Sequence, residues 1–359
     1  MTVFGATPDL VRRALDDGDP LPGTTGFAGQ IDGCLVRDVL GRELCFSESG
    51  DCTAWSRDPG ELTDPDPVPA GHARDAAGDE RVWSLPDVAP TTDTDRAVAD
   101  VRGALDAALA DVDTDGLAVA FSGGVDSALL AARLDAPLYV AGFPDSHDVA
   151  AARSAAGLLN RDVRVVELDH EALEAAVPPL VEAIGRTDAM PVQIALPLFL
   201  VARRVAADGF DRLALGQGAD ELFGGYAKVA RAPDDPRVDA GTVRGARDEM
   251  LGTLPDQLQR DLLAMRGAGV EPVTPLLHDR VVRAALALPE DLLVTARGER
   301  KWALRLAARA WLPDRVAFRE KKAVQYGSLV ARELDRLARQ HGFKRRMDDH
   351  VTRYVDSLA

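Results

Sequence analysis

The segment from Ser122 to Ser127, SGGVDS, combines the residue types that bind phosphate. Its glycines let the backbone approach an anion closely, and its serines carry hydroxyl donors. A helix that begins here would add free N–H groups and a positive dipole end. A carboxylate in this company repels phosphate, so Asp126 predicts a bridging Mg²⁺. The candidate nucleotide-binding loop is Ser122, Gly123, Gly124, Val125, Asp126 and Ser127.

The pattern differs from the Walker loop, because no Gly-Lys-Ser/Thr follows the glycines. It resembles SGGxDS, the pyrophosphate loop of ATP-pyrophosphatases. The resemblance implies that the β- and γ-phosphates of ATP leave as pyrophosphate and that the substrate receives AMP. Thiolases of tRNA, NAD and GMP synthetases, and amide synthetases all share this loop, so it does not choose among them.

A second constellation lies at residues 215–226, LGQGADELFGGY. It follows a predicted strand, at the end where open α/β sheets bind ligands. Asp220 and Glu221 are adjacent carboxylates that, with Asp126, are expected to hold Mg²⁺ on the phosphates. The alternative for Asp220 and Glu221 is that they cap a helix.

The elements around these motifs predict an α/β fold with a parallel sheet and helices on both faces. Four short apolar runs predict buried strands, and helical spacing separates them. After Tyr226 no strand is predicted. The predicted strands are 117–121, 138–142, 163–168 and 213–216; the predicted helices are 98–110, 128–134, 147–159, 171–184, 194–207, 279–287 and 302–311.

Residues 1–95 predict a small, β-rich N-terminal region. Gly33–Val36 and Glu43–Phe46 have strand character, whereas the Pro- and Asp-rich stretch from Pro59 to Pro69 predicts an irregular loop. A linker over Pro86–Asp95 then leads into the α/β domain. The predicted domains are 1–95 and 96–359, the second with a helical C-terminal half.

SGGVDS together with GxGADELFGGY resembles the asparagine synthetase family, which forms a β-aspartyl-AMP intermediate and captures it with ammonia. The resemblance extends over about residues 96–330. It includes AGFPDSHDVAAARSAAGLL, PLFLVARR, TPLLHDRVVRAALALP and KWALRLAARAWLPDRVAFREKKAVQYGS. The resemblance therefore implies that this chain has the family's fold, uses ATP and Mg²⁺ as cofactors, and acts on small-molecule substrates.

The resemblance implies roles for particular residues. Lys321, or its neighbour Lys322, matches the lysine of an Arg-x-Lys segment that stabilises charge on the α-phosphate. Asp220 matches a second metal-binding aspartate beside Asp126. Gln217 stands where the family has a glutamate near the acyl-adenylate. The remaining nucleotide contacts are expected from Gly142, Phe143, Gly216, Gly218 and Glu221.

Some positions depart from the family. Glutamine at 217 cannot act as a base. The family's Arg-x-Pro-Phe-Leu-Asp pattern reads Val273-Thr274-Pro275-Leu276-Leu277-His278, so its arginine and aspartate are missing. Residue 2 is Thr2 rather than the cysteine that hydrolyses glutamine. LVRDVLGR and VPAGHA nevertheless resemble glutaminase segments, so residues 1–95 are interpreted as a shortened, degenerate glutaminase-like region. Ammonia would then come from solution or from a separate glutaminase subunit.

Composition narrows the class of protein further. A net charge of −16 argues against broad nucleic-acid binding, and with only five lysines it is typical of a protein from a high-salt cytoplasm. Three cysteines, Cys34, Cys45 and Cys52, make no disulfide framework or metal motif. The N-terminus has no secretion signal, and no apolar run reaches eighteen residues. A cytoplasmic protein without a membrane partner is expected, and a homo-oligomer is compatible with the sequence.

Four interpretations follow. The first is an ammonia-dependent amide ligase acting on L-aspartate. The second keeps the adenylation but changes the carboxylate or the amine, as the departures at Gln217, Val273 and His278 favour. The third, a tRNA sulfur transferase, requires a cysteine near the ATP site. The fourth is a non-catalytic regulatory subunit, against which the intact motifs argue.

Overall fold

A computed structural model of the chain describes residues 2–233, 240–320 and 328–359. Its backbone forms two compact units, each assembled from three separated segments. The first unit contains Met1–Asp111, Gln217–Gln259 and Thr274–Ala307; the second contains Val112–Gly216, Arg260–Val273 and Ala308–Ala359. The predicted domain boundary at residues 95 and 96 stays a prediction, because residues 2–95 share the first unit with two later segments.

The N-terminal part of the first unit consists of two small antiparallel sheets. The larger has the strand order β1-β2-β3-β7-β8, and the smaller has the order β5-β4-β6. The strands are β1 (Thr2–Phe4), β2 (Ala28–Ile31), β3 (Cys34–Arg37), β4 (Phe46–Glu48), β5 (Asp51–Ser56), β6 (Pro65–Pro67), β7 (His72–Asp75) and β8 (Gly78–Arg81).

Alternation along β3 explains why the larger sheet is buried on both faces. Val36 points into a cluster with Phe27 and Trp83, whereas Leu35 points into a second cluster with Cys45. Successive strand residues face opposite sides, so one strand serves both clusters. The indole of Trp83 donates to the Ala14 carbonyl at 3.3 Å, which fixes the helix Pro8–Asp17 on one face.

A buried ionic network fastens this N-terminal part to the segment Thr274–Ala307. Asp279 accepts hydrogen bonds from the backbone N–H groups of Gly23 and Thr24 at 2.8 and 2.7 Å. The guanidinium of Arg42 donates to Asp279 at 2.6 Å and to Asp38 at 2.7 Å. All three charged side chains are buried, so the contact belongs to the core of the unit.

Helices complete the first unit. Thr94–Ala110 packs against Asp279–Leu286, and Asp93 caps its N-terminus. The other described helices of this unit are Pro8–Asp17, Ala219–Leu222, Ala227–Arg231, Val243–Gly252, Glu290–Leu293 and the 3₁₀ turns Pro59–Glu61 and Pro275–Leu277. Leu254–Gly267 and Trp302–Ala308 each begin in the first unit and continue into the second.

The second unit is built on an open sheet whose five strands are all parallel. Its strand order is β11-β10-β9-β12-β13. The strands are β9 (Leu117–Ala120), β10 (Leu138–Gly142), β11 (Val163–Glu167), β12 (Arg212–Ala214) and β13 (Glu271–Val273). The chain runs outward from β9 to β11 and then returns to the other side of β9, so the order reverses between β9 and β12.

Helices of the second unit connect and cover these strands. They are Val125–Arg133, His147–Leu158, His170–Ile184, Ala189–Ala207, Asp314–Ala317, Val330–Gln340 and His350–Leu358. Among the described residues, Ala189–Ala207 is the one helix with the length and apolar character to cross a membrane, but half of it is buried within the structure. It packs against β10 and His170–Ile184, as a core helix does.

The α/β prediction is confirmed, with its parallel sheet and helical C-terminal half. The four predicted strands and the seven predicted helices are present with shifts of a few residues at their ends. Three predictions were wrong. Of the predicted strand Glu43–Phe46, only Phe46 lies in a strand, β4. Glu271–Val273 forms a fifth parallel strand after Tyr226, and the stretch from Pro59 to Pro69 contains a 3₁₀ turn and the strand Pro65–Pro67 rather than an irregular loop. Both strands have three residues and contain proline, which is tolerated at a sheet edge.

Candidate active site

The glycine loop follows β9, the central strand of the parallel sheet. Gly123 has a φ of +74°, and a Cβ there would lie 2.6 Å from the carbonyl oxygen of Ala151. Only glycine fits this position without displacing backbone. Gly124 is the N-cap of the helix Val125–Arg133, and no side chain caps that end. The first-turn N–H groups of the helix are therefore available to an anion.

Ser127 organises the loop from within. Its hydroxyl accepts from the Ser122 backbone N–H at 3.2 Å and donates to the Gly124 carbonyl at 3.2 Å. The Ser122 hydroxyl lies 3.2 Å from the same oxygen. Ser127 is buried, so its first role is to close the loop into one conformation. Asp126 is half-buried and lies on the first turn of the helix, directly before Ser127.

Gly216 brings the end of β12 against this loop. A Cβ on Gly216 would lie 2.7 Å from the Cβ of Asp126 and 3.3 Å from the backbone nitrogen of Ser127. The two predicted motifs thus meet where the strand order reverses, at the carboxyl ends of β9 and β12. In open α/β sheets this crevice is where ligands bind.

Gly142 and Phe143 lie at the end of β10, next to β9. A Cβ on Gly142 would lie 2.3 Å from the hydroxyl oxygen of Ser146, which itself caps the helix His147–Leu158. The Phe143 backbone N–H donates to the Ser328 carbonyl at 3.4 Å. Gly142 is buried and Phe143 half-buried at the end of the sheet where ligands bind in open α/β folds, and their predicted nucleotide contact stays a prediction.

The second motif, residues 215–226, continues in the first unit, where Asp220 pairs with a lysine that the sequence analysis missed. The Lys301 ammonium lies 2.7 Å from Asp220 Oδ1. Lys301 is buried and has a φ of +58°, an unusual backbone conformation for a residue other than glycine. The one available signal was the rarity of lysine in an arginine-rich chain.

Gly225 makes this ion pair possible. A Cβ on Gly225 would lie 1.9 Å from Asp220 Oδ1 and 2.3 Å from Lys301 Cε. Gly218 is constrained in a similar way, with a φ of +87° and a Cβ position 2.2 Å from Leu277 Cδ2. The glycines of GADELFGGY therefore shape the surroundings of Asp220 rather than serve as a loose turn.

Glu221 has a different environment from its neighbour. The residue is 3% exposed, and its carboxylate accepts a hydrogen bond from the Tyr226 hydroxyl at 2.5 Å. Burial raises the pKa of Glu221, and the charge of Asp220 acts in the same direction. The predicted contact of Glu221 with nucleotide stays a prediction, while its described contacts give it a structural role.

His278, at the departure from the family pattern, is buried and caps a helix. Its Nδ1 accepts from the Arg280 backbone N–H at 3.1 Å, at the start of Asp279–Leu286. Burial lowers the pKa of His278, with the charge of Arg280 contributing in the same direction. A neutral imidazole is the form that can accept this hydrogen bond.

Lys321 and Lys322 lie outside the described residues, so their predicted roles are not tested. Arg319, the first residue of the Arg-Glu-Lys-Lys run, is described. It donates to the Ala151 carbonyl at 2.8 Å and to the Ser154 hydroxyl at 2.7 Å. Ala151 is also the residue that faces Gly123, so the start of the run is anchored beside the glycine loop.

The fold is that of an α/β protein with a glycine loop at the switch point of an open parallel sheet. The sequence model for asparagine synthase matches residues 100–266 and 244–357. The match covers more than half of the chain, and the chain belongs to the asparagine synthase family.

Individual relatives agree with the family match. The chain is 29% identical over 279 residues to a protein of Methanocaldococcus jannaschii whose name assigns it as a glutamine-hydrolyzing asparagine synthetase, with 68% of this chain and 51% of that protein covered. It is 27% identical over 190 residues to glutamine-hydrolyzing asparagine synthetase B of Escherichia coli, with 53% and 34% covered. The chain thus spans about half or less of the length of these relatives.

A solved NAD⁺ synthetase from Burkholderia pseudomallei is 18% identical, with 71% of this chain and 93% of that chain covered and a TM-score of 0.24. This structural likeness is too weak to bear on the fold.

Proposed function

We propose that the chain is an ATP-dependent amide ligase. It activates a carboxylate, most simply that of L-aspartate, as acyl-AMP, and ammonia then displaces AMP to give the amide, here asparagine. Pyrophosphate and AMP are the other products. The observation that carries the proposal is the glycine loop after β9, closed by Ser127 and faced by Gly216 at the switch point of the sheet.

The loop residues are proposed to bind the pyrophosphate part of ATP. The free N–H groups of the helix Val125–Arg133 and the Ser122 hydroxyl supply donors toward phosphate oxygens. The backbone after β10, at Gly142 and Phe143, is proposed to flank the adenine. Gln217, the position before Gly218, is proposed to hydrogen-bond the activated carbonyl, since an amide donates and accepts but does not titrate.

Asp126 and Asp220 are each proposed as magnesium ligands, because each offers carboxylate oxygen. Asp220 binds Lys301 through Oδ1 and keeps 46% of its side chain exposed. Within the described ranges, no group of three or more His, Cys, Asp or Glu residues is arranged as a metal cluster. This agrees with the habit of Mg²⁺, which takes one or two carboxylates and completes its shell with phosphate and water. When bound, the ion would neutralise charge on the phosphates.

A cationic side chain is also needed beside the α-phosphate, to stabilise its negative charge as ammonia attacks the acyl carbon. Lys321 is proposed for this role, with Lys322 as the alternative, and Arg319 is the described residue that anchors the start of their segment. The ammonia is proposed to come from solution or from a separate glutaminase, and the remaining partners are small molecules. A cytoplasmic location and adaptation to high salt remain predictions from composition.

The test is pyrophosphate release from ATP in high-salt buffer with Mg²⁺ and ammonium, with and without L-aspartate. The proposal expects aspartate-dependent release together with asparagine and AMP in equal amounts. Asp126→Asn should abolish release, whereas Asp135→Asn, an exposed position in the same unit, should leave it unchanged. Full activity of Asp126→Asn would remove Asp126 from the site.

The alternative is a ligase of the same kind that acts on a substrate other than L-aspartate, and the residue at position 278 favours it. Where the family pattern has an aspartate, this chain has a buried imidazole that is engaged as a helix cap. Release that is absent with aspartate but restored by another carboxylate or by an amine would establish an adenylating ligase of different specificity. Silence with every acceptor would favour a non-catalytic subunit.

A further inference from the structure

A cavity of about 460 Å³ lies within the first unit, apart from every residue assigned above to the ligase site. Its volume falls in the range of small-molecule pockets. One wall comes from the N-terminal region, with Leu40, Arg81 and Trp83. The opposite wall comes from Val243–Gly252 and its neighbours, with Arg244, Arg247 and Leu251.

The charges around the cavity do not balance. Three arginines line it, Arg81, Arg244 and Arg247, against two aspartates, Asp87 and Asp248. Asp248 is already bonded to Arg247 Nε at 2.6 Å. In a chain with a net charge of −16, an excess of positive charge around a cavity is unusual, and it favours an anionic occupant.

Arg244 has donor capacity that the described residues do not use. Its Nη2 donates to the Val88 carbonyl at 2.6 Å, but its Nη1 is buried and has no hydrogen-bond partner. Carbonyl oxygens satisfy donors without neutralising the charge, and no described carboxylate pairs with this guanidinium. A buried donor left without a partner is costly, so a ligand oxygen at this position would remove a penalty.

Arg247 adds a second cation to the same wall. It is fully buried, and its Nη1 donates to the Ala285 carbonyl at 2.8 Å. Burial lowers the pKa of Arg247, and the charge of Arg244 acts in the same direction. Arg247 is itself paired with Asp248, so it contributes positive charge near Arg244 rather than a donor to the ligand.

Apart from Ser84, the other side chains of the lining are apolar. Trp83, Leu251 and Leu286 are buried side chains of the cavity wall, and the indole N–H of Trp83 is already bonded to Ala14. A small inorganic anion would not pack against these apolar side chains. The lining instead suits a molecule with an anionic end and an apolar body.

We propose that this cavity binds a small organic acid, whose carboxylate is held by Arg244, with the positive charge of Arg247 behind it, and whose apolar body packs on Trp83, Leu251 and Leu286. A guanidinium presents donors in the planar geometry that a carboxylate accepts. The site is separate from ATP and from the proposed ligase chemistry, and it gives the chain a second ligand.

The test is binding of 3-phenylpropionate to the full chain without ATP, followed by NMR, with its neutral amide and inorganic phosphate as comparison probes. We expect saturable binding of the acid and binding of the amide that is at least about tenfold weaker. Arg244→Gln should weaken binding of the acid at least about tenfold, whereas Arg102→Gln, on the exposed face of Thr94–Ala110, should not.

A second variant keeps the proposal testable if Arg244→Gln fails to fold. Ser84 lines the cavity but is exposed, so Ser84→Trp should occlude the space while the circular dichroism spectrum stays that of the wild type. Equal binding of acid and amide, or unchanged binding by Arg244→Gln or Ser84→Trp, would overturn the proposal. Phosphate binding as tight as that of the acid would overturn the organic part of the ligand.

Discussion

Arg42 Nη1 lies 2.6 Å from Asp279 Oδ1, although the two residues are 237 positions apart in the sequence. Both side chains are excluded from solvent. Asp38 binds the same guanidinium from the other side at 2.7 Å, and the Gly23 and Thr24 N–H groups satisfy the remaining Asp279 oxygen. The N-terminal region is therefore joined to a late segment of the chain by buried charge.

Asp279→Ala should destabilise the first unit strongly, because it leaves the buried Arg42 guanidinium and the buried Thr24 N–H without their shared partner. Losing one member of a buried ion pair costs about 3–5 kcal/mol. Urea unfolding measured by circular dichroism checks this. Asp16→Ala, at an exposed helix position, is the matched control and should change stability little. Comparable stability of the two variants would contradict a structural role for the network.

Gly225→Ala should disrupt the Asp220–Lys301 ion pair, because the added methyl group would occupy the space of both side chains. Overpacking of this kind costs about 1–3 kcal/mol, and pyrophosphate release should fall with it. Gly103→Ala is the control, and its expected effect on stability has the opposite sign. Gly103 lies within a helix with open space around its Cβ position, so alanine should stabilise the protein by about 0.5–1 kcal/mol. A harmless Gly225→Ala would show that the ion pair is dispensable.

His278 should make stability depend on pH. Because burial lowers its pKa below the ordinary value of 6.5, the unfolded chain takes up a proton more readily than the folded chain. The contribution of His278 is therefore complete above the unfolded pKa and is lost as the pH falls through the folded pKa.

His278→Asn keeps a cap acceptor for the Arg280 N–H but does not titrate. Between about pH 7.5 and about pH 5.5, the wild type should lose more stability than this variant. Thermal unfolding at the two pH values measures the difference. Identical losses in the two proteins would assign the acid sensitivity to other groups.

Ser127→Ala should loosen the glycine loop, since the hydroxyl links Ser122 to Gly124. Each hydrogen bond of this kind contributes about 1 kcal/mol, so the fold should survive. The KM for ATP should rise and kcat/KM should fall at least about tenfold. Steady-state kinetics measure both values. Ser357→Ala, which removes one hydrogen bond near the C-terminus, should leave both unchanged; an ATP KM unaffected by Ser127→Ala would exclude the ordering role.

The parallel sheet could be predicted because its central strands are uninterrupted apolar runs, as at Leu117–Ala120 and Leu138–Gly142, where burial on both faces leaves a local signal. The strand Glu271–Val273 has no such signal, since three residues with a central proline are defined by pairing with β12 alone. In the candidate site, the glycine loop could be predicted because its residues, Ser122 to Ser127, are consecutive in the sequence.

The partner of Asp220 was not predictable in the same way. Lys301 is 81 positions further along the chain, and its contact depends on a backbone conformation that no local pattern announces. The arginine-lined cavity has the same origin, because residues 39–88 meet residues 244–286 only in the folded unit. Long-range pairings of this kind are a property of topology rather than of motif.

The interleaved segments of the first unit also set an order of events during synthesis. Strands β1 to β8 leave the ribosome early, but Asp279, which completes their ionic core, emerges almost 200 residues after the last of them. In between, the chain must make most of the parallel sheet of the second unit. Contacts of such high sequence separation form late and slowly. The N-terminal region is thus expected to wait as an incomplete intermediate, during which chaperone binding would protect its open strand edges.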